Sequence, residues 1–458
     1  MDTLHADLLV IGFGKGGKTL AATLGRLGRR VVMVEQSALM YGGTCINIGC
    51  VPTKALIHRA EARPEDADPV AWYAESVAAT AGLTAEMRAG NFRMLDSLDA
   101  VTVVTGTAAF LDEKRVEVTA GGDRLEITAD TVVIDTGAEP VIPDVPGLRG
   151  SAHLVTGTDL IGEPALPGRL AVVGGGYQGI EFAAMLSRSG TEVTVLESAE
   201  RILPREDEDV ARAAADILRA EGVTFVTGAG VTRVEDTAGG VRVRYTAGGT
   251  EHTVEADKVL AATGRAPRTA ELRLDAAGVR TTARGAVEVD EHLRTSRPHI
   301  YAVGDVNGGP QFTYISLDDH RIVADQLLGE GRRSTADRVA VPYTLFMTPP
   351  LARVGMTEDE ARAAGRAVRV AAKPVAEMAA MPRARIVGET RGLMKFVVDA
   401  ATDEILGAAL LSVDAQELVN TVALAMRTGT TASTLRDAIW THPSSTEAFN
   451  EVLAAVVR

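Results

Sequence analysis

The sequence predicts an α/β protein built on a duplicated unit of strand, glycine-rich turn, helix and strand. Three observations predict it. The unit occurs twice, and Glu35 lies twenty-three positions after Gly12 just as Glu197 lies twenty-three after Gly174. Each unit is followed by a buried apolar strand that runs into a glycine turn, Thr131 to Ala138 and Val259 to Arg265. Hydrophobic content of 46 % with 46 glycines suits a chain with many tight turns between strands and helices. A length of 458 residues allows two to four domains at roughly 150 residues each.

In the first unit, Asp7-Leu8-Leu9-Val10-Ile11 is a short apolar strand. Gly12-Phe13-Gly14-Lys15-Gly16-Gly17 follows, then a helix to about Leu27 and a strand from Arg30 to Glu35. Gly12, Gly14 and Gly17 allow a tight turn and close approach of backbone to a pyrophosphate at the helix N-terminus. Glu35 is placed to accept the hydroxyls of an adenosine ribose. The same residues, continued by Lys18-Thr19, also satisfy the P-loop pattern of a nucleoside triphosphatase. Against that reading stands the acid at Glu35, where a dinucleotide ribose needs one.

The only two cysteines, Cys45 and Cys50, lie in Gly42-Gly43-Thr44-Cys45-Ile46-Asn47-Ile48-Gly49-Cys50-Val51-Pro52-Thr53-Lys54. Their spacing allows a small disulfide ring on one turn of helix. So short a loop restrains the unfolded chain little, so stabilisation is a weak reason for it. A redox-active dithiol is the better reading. Two free buried thiols, or half a zinc site, are the alternatives, though zinc needs about four ligands and His58 is the one nearby histidine.

Residues 61–69 read as a surface turn and residues 71–100 as helical. Val101 to Phe110, Arg115 to Thr119 and Arg124 to Ile127 alternate like hairpin strands. Pro140, Pro143 and Pro146 then mark a boundary. In the second unit, Leu170 to Val173 leads into Gly174-Gly175-Gly176-Tyr177-Gln178-Gly179, a helix to about Ser189 and a strand from Glu192 to Glu197. No Lys-Thr follows its glycines, which removes the P-loop reading. Two units imply two dinucleotides, one held permanently and one passing through as reductant. Glu197 accepts the 2′- and 3′-hydroxyls of NADH and repels a 2′-phosphate, while Arg201 and Arg205 soften that preference and leave NADPH possible. Strands at 223–227, 231–235, 241–245 and 251–256 complete this domain.

A net charge of −14 argues against nucleic acid as a partner. No apolar run approaches the ~18 residues of a membrane span. Two cysteines and no export signal indicate a reducing cytoplasm.

The buried strand Ile300 to Asp305, ending in Gly304-Asp305, completes a pattern along the whole chain that resembles the pyridine-nucleotide disulfide oxidoreductases, the family of glutathione reductase, lipoamide dehydrogenase and mercuric reductase. The resemblance implies two Rossmann-like dinucleotide-binding domains, for FAD and NAD(P)H, and a C-terminal α+β dimerisation domain. The implied boundaries are 1–150 and 266–338 for the FAD-binding domain, 151–265 for the NAD(P)H-binding domain and 339–458 for the dimerisation domain.

By the same resemblance Cys45 and Cys50 form the active disulfide beside the isoalloxazine. Lys54 pairs with Glu181 near flavin N5, Tyr177 gates the nicotinamide pocket, and Asp305 holds the ribityl chain. Gly12, Gly14, Gly17, Glu35, Gly43, Thr44, Lys54, Ala108, Thr136, Gly137, Gly304 and Asp305 are the expected FAD contacts. Gly174, Gly176, Gly179, Glu197 and Gly264 are those for NAD(P)H. His442 and Glu447 form a base pair that reaches the disulfide of a second subunit, so a homodimer is implied.

Four stretches resemble one branch of that family, the copper(II) reductases of reactive-chlorine resistance. They are Met40 to Cys50, Gln311 to Asp319, Phe346 to Thr357 with its Pro349-Pro350, and Met381-Pro382-Arg383-Ala384-Arg385. Trp440 stands where lipoamide dehydrogenase carries a second histidine. No cysteine follows Cys50, so mercury handling is not expected. Cys45 and Cys50 are the expected transient copper ligands, since copper(I) favours sulfur. Met40 and Met381 are read as packing. Copper(II) or another small oxidant is thus the expected acceptor. A disulfide reductase of the lipoamide or glutathione type, and a redox-sensing flavoprotein, stand as alternatives.

Overall fold

The structure is a computed structural model and describes residues 2–456. Strand Asp2–Ile11 is the centre of the first sheet. It pairs in parallel with Val31–Glu35 on one side and with Asp123–Ile134 on the other. Val101–Thr105 extends the sheet beyond the first neighbour and Ile300–Ala302 beyond the second. Leu8 to Ile11 are buried on both faces, as helix-covered parallel strands must be. Because the chain leaves Asp2–Ile11 toward one edge and later returns to the other, a crevice opens at the carboxyl ends of these strands. Gly12 begins there.

Two expectations for this domain change. Val101 to Phe110 is not one hairpin strand. Val101–Thr105 joins the parallel sheet, and Thr107–Phe110 turns to pair antiparallel with Arg115–Ala120. The break falls at Gly106, where a Cβ would lie 2.7 Å from the Thr119 carbonyl oxygen. Conversely, the runs at 124–127 and 131–138 belong largely to one strand, Asp123–Ile134. Its first half pairs with the hairpin and its second with Ile300–Ala302. Local alternation cannot tell these cases apart, because the partner strands are distant in sequence.

The second sheet is parallel, in the order Thr224–Val226, Glu192–Leu196, Arg169–Val173, Lys258–Ala261, Leu154–Val155. A three-stranded antiparallel sheet, Gly230–Thr237, Gly240–Ala247 and Thr250–Ala256, accompanies it. The C-terminal sheet has five antiparallel strands, centred on Ile405–Leu411, with helices Ala415–Arg427 and Ala448–Ala454 packed on it. One hydrophobic cluster joins all three parts. It includes Leu56 and Ile57 of the cysteine-bearing segment, Ile180 and Phe182 of the second unit, and Leu345, Met347 and Leu411 of the C-terminal sheet.

Buried charge crosses the same junction. Arg353, on strand Leu351–Gly355, is 2 % exposed. It donates to Glu206 at 2.6 Å and to Asp207. Lys395 lies 3.2 Å from Asp207 and 3.0 Å from both Asp209 and Glu358. Each buried charge thus has an opposite partner, without which its desolvation would be prohibitive. Arg353→Leu leaves two buried carboxylates short of a partner and is expected to cost about 3–5 kcal/mol of stability. Urea unfolding checks this, and an unchanged midpoint contradicts it.

Candidate active site

Both glycine loops line one cleft of about 2580 Å³. From the first domain Gly12, Gly14, Glu35, Gly43, Thr44 and Ala108 face it, with Thr136, Gly137, Gly304 and Asp305. From the second come Gly174, Gly176, Tyr177, Glu181, Glu197 and Gly264. Gly17 and Gly179 are buried and do not line it.

The two loops are equivalent down to single atoms. Gly12 has φ +101°, and a Cβ there would lie 2.3 Å from the Asp135 carbonyl oxygen. Gly174 has φ +108°, and its Cβ would lie 2.6 Å from the Ala262 carbonyl oxygen. No residue but glycine fits either turn. Each acid braces its own loop. Glu35 accepts from the Phe13 and Ser37 amides, both at 3.1 Å. Glu197 accepts from the Gly175 amide at 2.6 Å and the Ala199 amide at 2.7 Å. A carboxylate has about four acceptor positions, so each retains capacity for ribose hydroxyls. Burial pushes the Glu35 carboxyl up. Arg201 turns inward to the Pro204 and Glu206 carbonyls, leaving Arg205 to line the cleft. The residues present therefore fit a dinucleotide at each loop.

Cys45 and Cys50 do not share one helical turn. Cys45 lies on the short helix Thr44–Asn47, and Cys50 opens the helix Cys50–Glu61. The chain breaks at Ile48 and Gly49, where a Cβ on Gly49 would lie 2.9 Å from the Thr44 carbonyl oxygen. The Thr313 hydroxyl stands 3.7 Å from Cys50 Sγ. A hydrogen bond from Cys50 is the main reason the Cys45 thiol drops to about 6, with Thr313, Lys18 and Lys15 adding to it against burial. The same bond, then burial, pushes Cys50 far up. The pair therefore gives up its first proton below the ordinary thiol range, with Cys45 the thiol that the contact favours as thiolate.

Lys54 is one turn along the same helix. Its ammonium meets both Glu181 oxygens, at 2.7 and 2.9 Å, and lies 4.9 Å from the centre of the Phe346 ring. The Phe346 amide also donates to Glu181, at 3.0 Å. Tyr177 packs on Tyr343 with ring centres 5.4 Å apart, and both hydroxyls donate to Glu206. Burial raises the Tyr177 hydroxyl to about 12, so it stays protonated.

His442 and Glu447 are joined at 2.9 Å by His442 Nδ1. The Ser444 amide, then His442, holds the Glu447 carboxyl low. His442 is exposed, and neither residue lines the cleft of its own chain. Met381 is wholly buried in the C-terminal core, as packing requires, whereas Met40 is half-buried on the cleft.

Sequence reasoning missed Thr313, Glu206, Tyr343 and Asp135. Asp135 is 5 % exposed and accepts from the Gly17 amide at 2.7 Å. It shares a pocket of negative charge with Asp305 and Asp319, and burial drives its carboxyl well above the usual range. An acid at the end of the apolar run Thr131 to Ile134 was the available signal. His5, Asp7 and Asp130 form the one cluster of three metal-capable side chains among the described residues, and they lie outside the cleft. No helix among the described residues is long and apolar enough to cross a membrane.

The split between the thiols predicts their chemistry. The Cys45 thiolate fraction rises as pH rises through about 6. Alkylation of reduced protein at Cys45 should therefore level off by about pH 7, against a midpoint of about 8.5 for an ordinary thiol. Peptide mapping after iodoacetamide checks this. Preferential labelling of Cys50 at pH 7 contradicts it.

Residues 6–319 match the family model for pyridine nucleotide-disulphide oxidoreductase, and residues 341–453 match the dimerisation domain of the same family. RclA of Escherichia coli, described as a probable pyridine nucleotide-disulfide oxidoreductase, is 45 % identical over 449 residues, 98 % of each chain. Mercuric reductase of Staphylococcus aureus is 35 % identical over 441 residues, covering 94 % of this chain and 79 % of that protein. The solved copper(II) complex of the HOCl-induced flavoprotein disulfide reductase RclA from Escherichia coli superposes with a TM-score of 0.93 at 44 % identity, covering 99 % of each chain. The family implies FAD and a pyridine nucleotide. The chain belongs to the pyridine nucleotide-disulphide oxidoreductase family.

Proposed function

We propose that this enzyme carries electrons from NADH through the Cys45–Cys50 pair to copper(II), in the cytoplasm, as a defence against reactive chlorine. The observation that carries the reading is the thiol pair itself. It lies in the cleft that both glycine loops line, and the neighbouring Cys50 lowers the Cys45 thiol. The copper(II) complex of the similar RclA supports the choice of acceptor.

Gly12, Gly14, Glu35 and Asp305 would hold FAD, which would supply the means of turning a hydride into an electron pair for a disulfide. The chain's residues do the rest. Tyr177, packed on Tyr343, covers the pocket for the nicotinamide and yields when it enters. Lys54 and Glu181 fix the charge beside that pocket. Glu197 selects the free ribose of NADH. Two electrons and one proton from NADH, with a second proton, open the disulfide to two thiols. The dithiol then returns to disulfide as two copper(II) ions become copper(I) and two protons leave. Soft thiolates suit this acceptor, because copper(I) prefers sulfur. His442 of the partner subunit, oriented by Glu447, takes and returns the Cys45 proton. Its exposure and distance from its own cleft support this arrangement, as does the dimerisation domain.

The expected result is fast copper(II) reduction, and slow turnover of oxidised lipoamide and glutathione disulfide, assayed side by side. Faster turnover of either disulfide makes the enzyme a disulfide reductase, and turnover of none makes it a redox-sensing flavoprotein. Cys45→Ser and Cys50→Ser should each abolish copper(II) reduction while FAD stays bound. If both keep full activity, the thiol route is wrong. kcat/KM should be at least about tenfold higher for NADH than for NADPH, the scale of one lost charge–hydroxyl match. A catalytically competent monomer in analytical ultracentrifugation would defeat the shared site.

A further inference from the structure

The Lys18-Thr19 pair that imitates a P-loop has a different use in the fold. Thr19 Oγ1 donates to the Lys15 carbonyl inside its own helix. Lys18 is 4 % exposed and does not line the cleft. Its ammonium donates to the Gly42 carbonyl at 3.0 Å and to Asn91 Oδ1 at 2.6 Å. Both partners are neutral, so a full charge is buried without an ion pair at hydrogen-bond distance. Burial lowers the amine to about 8, which still leaves it protonated at pH 7.

The duplication shows that the fold does not require this charge. Lys18 follows Gly17 as Ile180 follows Gly179, and Ile180 is fully buried in an apolar cluster. Asp135 likewise stands where the second unit has Ala262. An aliphatic residue therefore suffices at this point of a glycine loop. What differs is the neighbour. The first loop meets the Cys45 end of the cysteine segment, and the contact is backbone on backbone. A Cβ on Gly43 would lie 2.9 Å from Gly14 Cα and 3.0 Å from the Phe13 carbonyl oxygen. Gly43 caps the helix that carries Cys45. Lys18 thus grips the residue before that cap.

We infer that Lys18 is a positioning residue for the redox pair: its buried ammonium ties the first glycine loop to Gly42, beside the cap of the helix that carries Cys45, and sets a positive charge there that favours the reduced pair. The inference rests on Cys45 and Cys50 being a redox pair. The charged and titratable groups around Lys18 are Lys15, Cys45 and Asp135, and those around Cys45 are Cys50, Lys18 and Lys15. Asp135, whose carboxyl burial pushes up beside Asp305 and Asp319, is the one acid among these neighbours.

The test is a redox equilibrium of the FAD-loaded, full-length protein in glutathione buffer at pH 7. Enzyme disulfide and two glutathione thiols exchange with enzyme dithiol and one glutathione disulfide, and trapping with a maleimide counts the reduced fraction. Lys18→Met removes the charge and keeps the stem. Asn91→Asp keeps the size and sets a carboxylate against the ammonium. Each should shift the equilibrium constant toward the disulfide by about threefold or more, equivalent to roughly half a pKa unit. Equilibria equal to the parent's in both variants overturn the inference. If Lys18→Met does not hold FAD, Asn91→Asp alone decides by the same criterion. A parent that forms no disulfide in the buffer overturns the redox reading of the pair, and this inference with it.

Discussion

The contact on which the rest depends is the ion pair of Lys54 and Glu181. Lys54 comes from the helix that begins at Cys50, Glu181 from the helix of the second glycine loop, and Phe346 from the C-terminal domain closes the group. Three parts of the chain, distant in sequence, meet at one partly buried charge pair. Beneath it the helices share a hydrophobic cluster through Leu56, Ile57 and Phe182. The thiol pair consequently has a fixed distance to both glycine loops. A redox site needs that rigidity, because misplacement by an ångström at a reacting centre is costly. Helix packing supplies it at the Cys50 end. At the Cys45 end only four residues are helical, and glycine packing does the same task.

The duplicated unit explains how one chain treats two similar ligands differently. The backbone devices are identical in both copies: a positive-φ glycine against a neighbouring carbonyl, and an acid that braces its own loop. The differences lie one layer deeper. In the first copy the Gly16 and Gly17 amides are taken by Ser316 and Asp135. Asp319 in turn accepts from the Gly304 amide at 2.6 Å and is held by Arg338. These bonds lace the first loop to the strand and helix that return from residue 300 onward. The second copy is set among apolar residues such as Ile180 and Phe182.

Most of the scaffold was legible in the sequence because it is written in local signals. Glycine spacing, strand-end acids and the cysteine pair all act within about thirty residues. The strands of the second domain match their expected ranges within a few residues. The misread segments depend on distant partners. Gly106 splits a run whose alternation looks continuous, because only the sheet decides which half pairs with Val31–Glu35. The cysteines appeared to share a turn, because a break at Gly49 is invisible until Thr44 packs against it. Thr313 is the plainest case. It touches Cys50 yet lies 263 residues from it, and the stretch Gln311 to Asp319 that contains it gave no sign of which residue would reach the thiols.

Buried charge was the least legible feature, and it is where the chain departs from what folding alone asks. Isolated charges are rarely buried, since desolvation opposes them strongly. Arg353, Lys395, Asp135, Asp319 and Lys18 are all buried. The first two are balanced by carboxylates that bridge domains, and Asp319 by Arg338. Asp135 reduces its cost by moving toward the neutral acid. Lys18 has neither remedy at hydrogen-bond distance, and its amine is only partly shifted. A charge kept at such a cost, at a position where Ile180 serves in the duplicate, is explained by what it faces. It faces the one segment of the chain whose chemistry requires a negative charge to form.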